Sequence, residues 1–206
     1  AFAQKRLNPD ADADDLLYMH SDIGSGIVIR GDIYFGAGGF AGEMHAFTKC
    51  ISQEEKGDLL KGSQYLRPWC IELGITEAAK REIEKGMGTK MVGLASGDIN
   101  NVTKDVVIEA ASQNDEIAAQ IIRNAALNLG VRTAYLVNLF DPEVVVIGGG
   151  IEKAGDLILK PIKEAVKKFA LSKQADQIKV VSNSLGDDAV GLGAASLAIR
   201  EIFLNA

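Results

Sequence analysis

A run of β-branched residues from Val144 to Ile147 constrains the fold more than any other feature of the chain. The run has no polar alternation, which indicates a strand buried on both faces. Asp141-Pro142-Glu143 precedes it and is expected to end a helix, because proline lacks a backbone donor. Three glycines follow the run, and after them come patterns typical of a helix at 156–169, a strand at 178–182 and a final helix at about 189–204. This order predicts an α/β protein.

The composition supports a folded domain and excludes several classes of function. With 206 residues, 47% of them hydrophobic, the chain can fill a sizeable core. Its 22 basic and 28 acidic residues give a net charge of −6 without a dense basic run, so we expect no direct contact with DNA. Cys50 and Cys70 lack zinc or disulfide spacing, and no apolar stretch reaches the ~20 residues of a membrane span. We expect a cytoplasmic protein without a metal or a membrane anchor.

Upstream of the apolar run, the patterns predict a β-meander followed by helices. The predicted strands are Leu16–His20, 27–30 and 33–35, with Gly24-Ser25-Gly26 as a glycine-rich corner. A mainly helical but irregular segment is expected at about 50–97. Two further helices are predicted, at 100–111 and 115–138, and the second carries the apolar stripe of a central packed helix.

Two glycine-rich corners could approach a nucleotide. In α/β folds, ligands gather where backbone N–H groups face the carboxyl ends of strands. The first corner, at 21–26, could bind a phosphate with main-chain donors and the Ser21 hydroxyl. The second corner, at 148–150, could pack against a flat ligand such as a purine. Each is equally explained as a tight turn. The candidate nucleotide or phosphate residues are Ser21, Gly24, Gly26, Gly148, Gly149 and Gly150.

A glycine-rich loop at 36–42, which includes Gly39, ends on Glu43 and suggests a sugar site. A carboxylate accepts hydrogen bonds from two sugar hydroxyls, and the imidazole of His45 can donate or accept. Glu72 is a further candidate. A single histidine is more often structural, so these assignments rest on the loop as a whole.

Together these segments resemble the ROK family of sugar kinases, open reading frames and repressors. Four segments carry the resemblance: a phosphate motif, a sugar-binding segment, an adenosine-side strand and a closing helix. In this sequence they are 21–26, 40–45, 139–151 and 190–195. The resemblance implies an actin-like ATPase (ribonuclease H-like) fold, with residues 1–206 as the C-terminal lobe of a ROK protein. It also implies an N-terminal lobe before Ala1, which this chain lacks.

The resemblance is incomplete where the kinases carry their catalytic apparatus. The D-x-G-G-T loop and the N-D-x-N segment with the catalytic base do not occur in the chain. Asp22 stands where the kinases have glycine, so that a carboxylate would repel the ATP phosphates. The Gly-His pair of the sugar segment is replaced by His45-Ala46, and the cysteine-rich zinc loop is absent.

These departures favour a sensor over an enzyme. We expect the effector-binding and dimerisation domain of a sugar-responsive transcriptional regulator, which would contact DNA only through a missing N-terminal domain. Its partners would be a sugar or sugar phosphate and a second copy of the chain. One alternative is the C-terminal part of a glucokinase-like sugar kinase that uses ATP with magnesium. Another is an interaction module with no small ligand.

Overall fold

The computed structural model of the chain describes residues 1–21, 24–43 and 71–204, and it combines a sheet with helices, as the α/β prediction requires. The strands are β1 (Leu16–His20), β2 (Gly24–Ile29), β3 (Asp32–Ile33), β4 (Val144–Gly148) and β5 (Lys179–Ser182). The helices are α1 (Phe2–Leu7), α2 (Ile71–Glu84), α3 (Lys90–Leu94), α4 (Lys104–Ser112), α5 (Glu116–Phe140), α6 (Asp156–Phe169), α7 (Ser172–Gln177) and α8 (Ala189–Leu204). Of the segment predicted to be irregular and helical, the described part holds α2 and α3, and 44–70 lies outside the described residues.

The described strands form one sheet in the order β3-β2-β1-β4-β5. β1 pairs antiparallel with β2 on one side and parallel with β4 on the other. In that parallel pair, Tyr18 lies opposite Val146 and His20 lies opposite Gly148. The carboxyl ends of β1 and β4 therefore meet at the same edge of the sheet, where α/β folds place their ligands.

β4 is buried on both faces, which confirms the prediction from its β-branched run. Val145 and Ile147 belong to the larger core on the side of α5 and α6, whereas Val144 and Val146 belong to a smaller cluster with Tyr18 and Ala189. All four side chains of the run are at most 2% exposed. The strand is thereby held rigidly between two layers, and so is the glycine corner that follows it.

The predicted meander is confirmed, but the glycines predicted to form its corner lie within β2. Gly24, Ser25 and Gly26 are the first residues of β2, where Gly24 pairs with His20 and Gly26 with Tyr18. The start of α1 packs against this part of the strand, since a Cβ on Gly26 would lie 2.8 Å from the Cβ of Ala1. The glycine serves a close approach within a strand rather than a turn.

The predicted central helix is α5, and the structure extends its C-terminal end by two residues. Its N-terminus is capped by Asp115, which accepts hydrogen bonds from the backbone N of Ala118 at 3.0 Å and of Lys90 at 2.6 Å. Gly130 allows α6 to approach closely, since a Cβ there would lie 2.6 Å from the Cβ of Ala165. This packing joins α6 to the central helix.

The last predicted helix, 189–204, is confirmed as α8, which packs against α1. Most of its apolar side chains after Ala189 remain partly or fully exposed. None of the helices within the described ranges is long and apolar enough to cross a lipid bilayer.

Candidate functional site

The two glycine-rich corners come together at the carboxyl ends of β1 and β4. The backbone N of Ser21 donates to the carbonyl of Gly148 at 3.0 Å, and the Ser21 hydroxyl donates to the carbonyl of Gly149 at 2.8 Å. Ser21 is buried, with 1% of its surface exposed. Ser21 of the predicted phosphate corner and Gly148 and Gly149 of the predicted purine corner thus form one bonded unit, in which the Ser21 hydroxyl is bonded to the chain itself.

The glycines of this unit are required by packing. A Cβ on Gly148 would overlap the Tyr18 ring, which lies 2.8 Å from that position at its nearest ring carbons. Gly149 has a φ of +89°, and a Cβ there would overlap the Ser21 hydroxyl. Close packing against β1 is therefore sufficient to explain both glycines, and their contact with a purine stays a prediction.

Lys104 is a component of the site that the sequence reasoning missed. It is the first residue of α4, after Thr103, whose hydroxyl accepts from the backbone N of Val106 at 3.3 Å. The Lys104 side chain is buried, and its amine donates to the carbonyl of Gly149 at 2.8 Å. One carbonyl oxygen therefore accepts hydrogen bonds from both Ser21 and Lys104. No local pattern marks Lys104, because its partner is 45 residues away.

A cleft of about 300 Å³ opens beside this unit, and we call it the strand-end cleft. Its lining combines the glycine corner with polar side chains from β1, α4 and the turns before α6 and α8. Those side chains are Tyr18, His20, Lys104, Asp105, Lys153 and Asp187. Lys153 donates to Asp187 at 3.2 Å, and this hydrogen bond raises the pKa of the Lys153 amine. Both lysines of the cleft are thus bonded to groups of the chain itself.

Tyr18 and His20 stand side by side on β1, with their rings edge to face at 6.1 Å. Tyr18 is 7% exposed, and within the described residues neither its hydroxyl nor the Glu152 Oε2 has a hydrogen-bond partner. Burial, and to a smaller degree the charge of Glu152, raises the pKa of Tyr18 to about 12. The sequence carries a signal for this pair, since alternate residues of a strand share one face.

A second cleft, of about 240 Å³, also has Tyr18 and His20 in its lining, and we call it the Glu43 cleft. Gly24, Gly26, Gly42 and Glu43 line it together with the start of α8. The glycine loop is fixed to β2 by a hydrogen bond from the backbone N of Ser25 to the carbonyl of Gly42, at 2.8 Å. Glu43, proposed for the sugar, and Gly24 and Gly26, proposed for a phosphate, therefore share one cleft.

The remaining predicted site residues are less defined. Gly39 lies in the loop ahead of Glu43, with open space where a Cβ would stand. His45 and Asp22 lie outside the described residues, and Glu72 lies in the first turn of α2 with its side chain outside the description. Within 1–21, 24–43 and 71–204, no cluster of histidine, cysteine or acidic residues could hold a metal ion. Cys50 and Cys70 fall outside those ranges.

Comparison with known proteins places the chain in one family. The ROK family model matches residues 1–201, and the chain belongs to the ROK family. The actin-like ATPase fold predicted from the motifs is the fold of this family, and its solved members share the architecture of the chain.

Repressors and kinases both occur among the relatives. The xylose repressor of Caldicellulosiruptor bescii is 26% identical over 204 residues, covering 98% of this chain and 50% of the repressor. The glucokinase of Halalkalibacterium halodurans is 32% identical over 191 residues, covering 90% of this chain and 56% of the enzyme. A ROK family glucokinase from Streptomyces griseus, solved with glucose and AMPPNP, has a TM-score of 0.76 at 25% identity and is matched over 95% of this chain and 64% of that one. The chain spans about half the length of the curated relatives it matches.

Proposed function

We propose that the chain is the effector-binding part of a sugar-responsive ROK transcriptional regulator and does not transfer phosphate. One observation carries the proposal: the polar groups at the ends of β1 and β4 are bonded to one another. Ser21 and Lys104 both donate to the carbonyl of Gly149, each at 2.8 Å. In a site that holds a triphosphate, such a hydroxyl and amine would face the phosphate oxygens.

The charges around the strand-end cleft also disfavour the binding of a triphosphate. Lys153 is paired with Asp187, and Asp105 adds a second carboxylate to the wall. Asp22, which lies outside the described residues, would add a carboxylate to the loop between β1 and β2. Carboxylates close to a triphosphate oppose its binding through like-charge repulsion.

The sugar is assigned to the Glu43 cleft. The Glu43 side chain is exposed, and its carboxylate can accept hydrogen bonds from two hydroxyls of a sugar. Gly24 lines the same cleft, and a residue without a side chain lets a sugar ring approach the backbone of β2. Gly39, His45 and Glu72 complete the proposed sugar site. Xylose occurs in the name of one relative, and glucose is bound in one of the similar solved structures, so these two sugars are the first to test. Sugar phosphates are the next class.

The proposal extends to partners that the chain itself does not contain. A cytoplasmic regulator would contact DNA through a separate domain, since this chain has a net charge of −6 and no basic run. The regulator would be a homodimer, as the family resemblance implies. Sugar binding in the Glu43 cleft would change the relative stability of two arrangements of the chain, which is how an effector alters DNA affinity.

A sugar kinase is the second candidate function. The 32% identity to the Halalkalibacterium halodurans glucokinase and the fold shared with a glucokinase solved with glucose and AMPPNP favour it. In that case the chain would supply the C-terminal lobe, and ATP with magnesium would bind at the strand-end cleft. An interaction module without a small ligand is the third candidate, and it predicts no response to either ligand.

Unfolding of the intact protein in the presence of ligands separates the three candidates. Xylose or glucose at 100 to 1,000 times its dissociation constant should raise the free energy of unfolding by about 2.7 to 4.1 kcal/mol, since it binds only the folded chain. ATP with magnesium should leave it unchanged. Stabilisation by ATP would favour the kinase, and no effect of any sugar or sugar phosphate would favour the interaction module.

The Glu43→Ala variant tests the site itself. It should abolish the stabilisation by sugar without altering the stability of the unliganded protein, because Glu43 is exposed. Glu77→Ala provides the matched control, since it removes an exposed glutamate from α2, outside the proposed sugar site. A full sugar response in Glu43→Ala would show that the sugar binds elsewhere.

A further inference from the structure

A further cavity, of about 540 Å³, is lined by residues of α1, α8 and the β2–β3 hairpin, and we call it the arginine cavity. It has Phe2 in common with the Glu43 cleft and no residue in common with the strand-end cleft. Cavities of about 300–1,000 Å³ enclose organic ligands, and a single inorganic ion needs far less room. The side chains around the cavity are those of Phe2, Arg6, Asp32, Ser196, Ile199 and Arg200.

Two arginine side chains of this cavity are positioned by one aromatic ring. The guanidinium carbons of Arg6 and Arg200 lie 5.5 and 5.4 Å from the centre of the Phe2 ring, which is 4% exposed. A guanidinium over an aromatic face is attracted by the ring, and its N–H donors at the edge stay available. The buried ring therefore orders both cations in advance of any ligand.

The arginines carry more charge than the cavity itself neutralises. Arg200 is paired with Asp32, whereas Arg6 is exposed and pairs with no carboxylate of the described residues. Two arginines and one aspartate give the lining a formal charge of +1, in a chain whose net charge is −6. One carboxylate would balance that charge. A phosphate monoester, with about −1.5 to −2 at neutral pH, would exceed it and be repelled by Asp32.

The rest of the lining favours an apolar ligand over a sugar. The Ile199 side chain is 56% exposed, so a ligand that covered it would remove apolar surface from water. The Ser196 hydroxyl already donates to the carbonyl of Leu192 at 2.7 Å. A ligand rich in hydroxyls would therefore find few partners here, whereas an aromatic ring could also stack on a guanidinium plane.

We infer that the arginine cavity is a second ligand site, which binds an aromatic monocarboxylate. The carboxylate accepts hydrogen bonds from Arg6, whose planar fork matches its two oxygens, and from the donors of Arg200 that Asp32 does not occupy. The aromatic body lies against Ile199. This site does not depend on the proposed sugar function, because neither arginine lines the Glu43 cleft.

Isothermal titration calorimetry of the intact protein with phenylacetate tests the inference. Phenylacetate should bind saturably with one ligand per chain. Acetate has the charge without the ring, and phenylacetamide has the ring without the charge, so each should bind about tenfold more weakly or less. Phenyl phosphate should also bind more weakly than phenylacetate. The inference is wrong if phenylacetate does not bind, or if any of the other three compounds binds as tightly.

Two pairs of variants locate the site. Arg6→Gln should lower the affinity for phenylacetate about tenfold, whereas Arg81→Gln, which removes an exposed arginine from α2, should not change it. Ile199→Glu should abolish binding, because its carboxylate would occupy the cavity. Ile202→Glu is its control, since it adds the same charge to an exposed position of α8 outside the lining. Unchanged binding in Arg6→Gln or in Ile199→Glu would overturn the assignment.

Stabilisation by sugar provides a separate readout in the same variants. Arg6→Gln should respond to xylose or glucose as the parent does, because the arginine lies outside the Glu43 cleft. Circular dichroism of each variant should match the parent, since Arg6, Ile199 and Ile202 are exposed. A parent protein that binds phenylacetate but no sugar would refute the sugar proposal alone, and the reverse result would refute the carboxylate site alone.

Discussion

The strand-end cleft and the Glu43 cleft share Tyr18 and His20, yet they differ in how their polar groups are used. In the strand-end cleft, the carbonyl of Gly149 accepts from the buried Ser21 and Lys104, and Lys153 is paired with Asp187. In the Glu43 cleft, the carboxylate is exposed, and the loop ahead of it leaves open space around Gly39. The polar groups of the strand-end cleft are thus bonded to one another, whereas the carboxylate of the Glu43 cleft faces solvent.

Because of this difference, the two clefts should contribute differently to the protein, one to the stability of the fold and the other to ligand binding. A buried polar group that already has its partner is costly to disturb, because breaking the bond leaves the partner unsatisfied. An exposed carboxylate exchanges water for a sugar hydroxyl at small cost. Substitutions around Gly149 should therefore change the stability of the fold, whereas those around Glu43 should change the response to ligands.

Gly149→Ala should give the largest effect on stability. Gly149 has a φ of +89°, and a new Cβ would overlap the Ser21 hydroxyl and lie 2.6 Å from the Ser21 backbone N. The strained backbone and the overpacking together should lower the free energy of unfolding by about 3 kcal/mol or more. Urea unfolding monitored by circular dichroism measures this change.

Gly39→Ala is the matched control for that substitution. Gly39 has a φ of +80°, close to that of Gly149, but nothing lies within 4 Å of the position of its Cβ. Only the backbone strain remains, so we expect a loss of about 1 kcal/mol. Similar losses in the two variants would contradict the tight packing at Gly149 and remove the contrast between the two clefts.

Lys104→Met should have an intermediate effect. The substitution keeps an apolar side chain of similar length and removes the amine that donates to Gly149, so we expect a loss of about 1–2 kcal/mol. Lys153→Met is the comparison within the same cleft. Its ion pair with Asp187 is exposed, and its removal should change stability by less than about 1 kcal/mol. Equal effects in urea unfolding would mean that burial of Lys104 contributes little.

Local patterns were sufficient to predict much of this fold. The Val144–Ile147 run predicted a strand buried on both faces, and β4 is that strand, because β-branched residues without alternation suit a sheet covered by helices. The final helix was predicted with its observed bounds. The glycines at 24 and 26 were assigned to a corner but lie in β2, because glycine marks a turn and a close approach within a strand equally well, and here Gly26 allows the approach of Ala1.

The candidate site was harder to predict, because its bonds join distant parts of the chain. Ser21 and Gly149 are 128 residues apart, and Lys104 comes from a helix that has no glycine motif. The sequence named Ser21 as a phosphate group because the residue type fits, but the direction of its hydroxyl depends on the parallel pairing of β1 with β4. Side-chain direction of this kind follows from tertiary structure and not from spacing.

Tyr18→Phe should give the smallest change at neutral pH. Within the described residues the Tyr18 hydroxyl is buried without a hydrogen-bond partner, so removing it leaves no bond broken. We expect the free energy of unfolding to stay unchanged or to rise by up to about 1 kcal/mol. A clear loss in urea unfolding would show that the hydroxyl has a stabilising partner in the folded chain.

The same variant should differ from the parent in alkaline solution. Burial raises the pKa of Tyr18 from 10.0 to about 12 in the folded chain, so the neutral phenol is favoured there. The contribution of this shift to stability is complete below the unfolded value and is lost as the pH rises from 10.0 to about 12. The parent should therefore lose more stability than Tyr18→Phe across that range, since the lysines titrate alike in both proteins. Parallel losses would mean that the Tyr18 hydroxyl reaches water, and Tyr18 would then belong to the solvent-facing region together with Glu43.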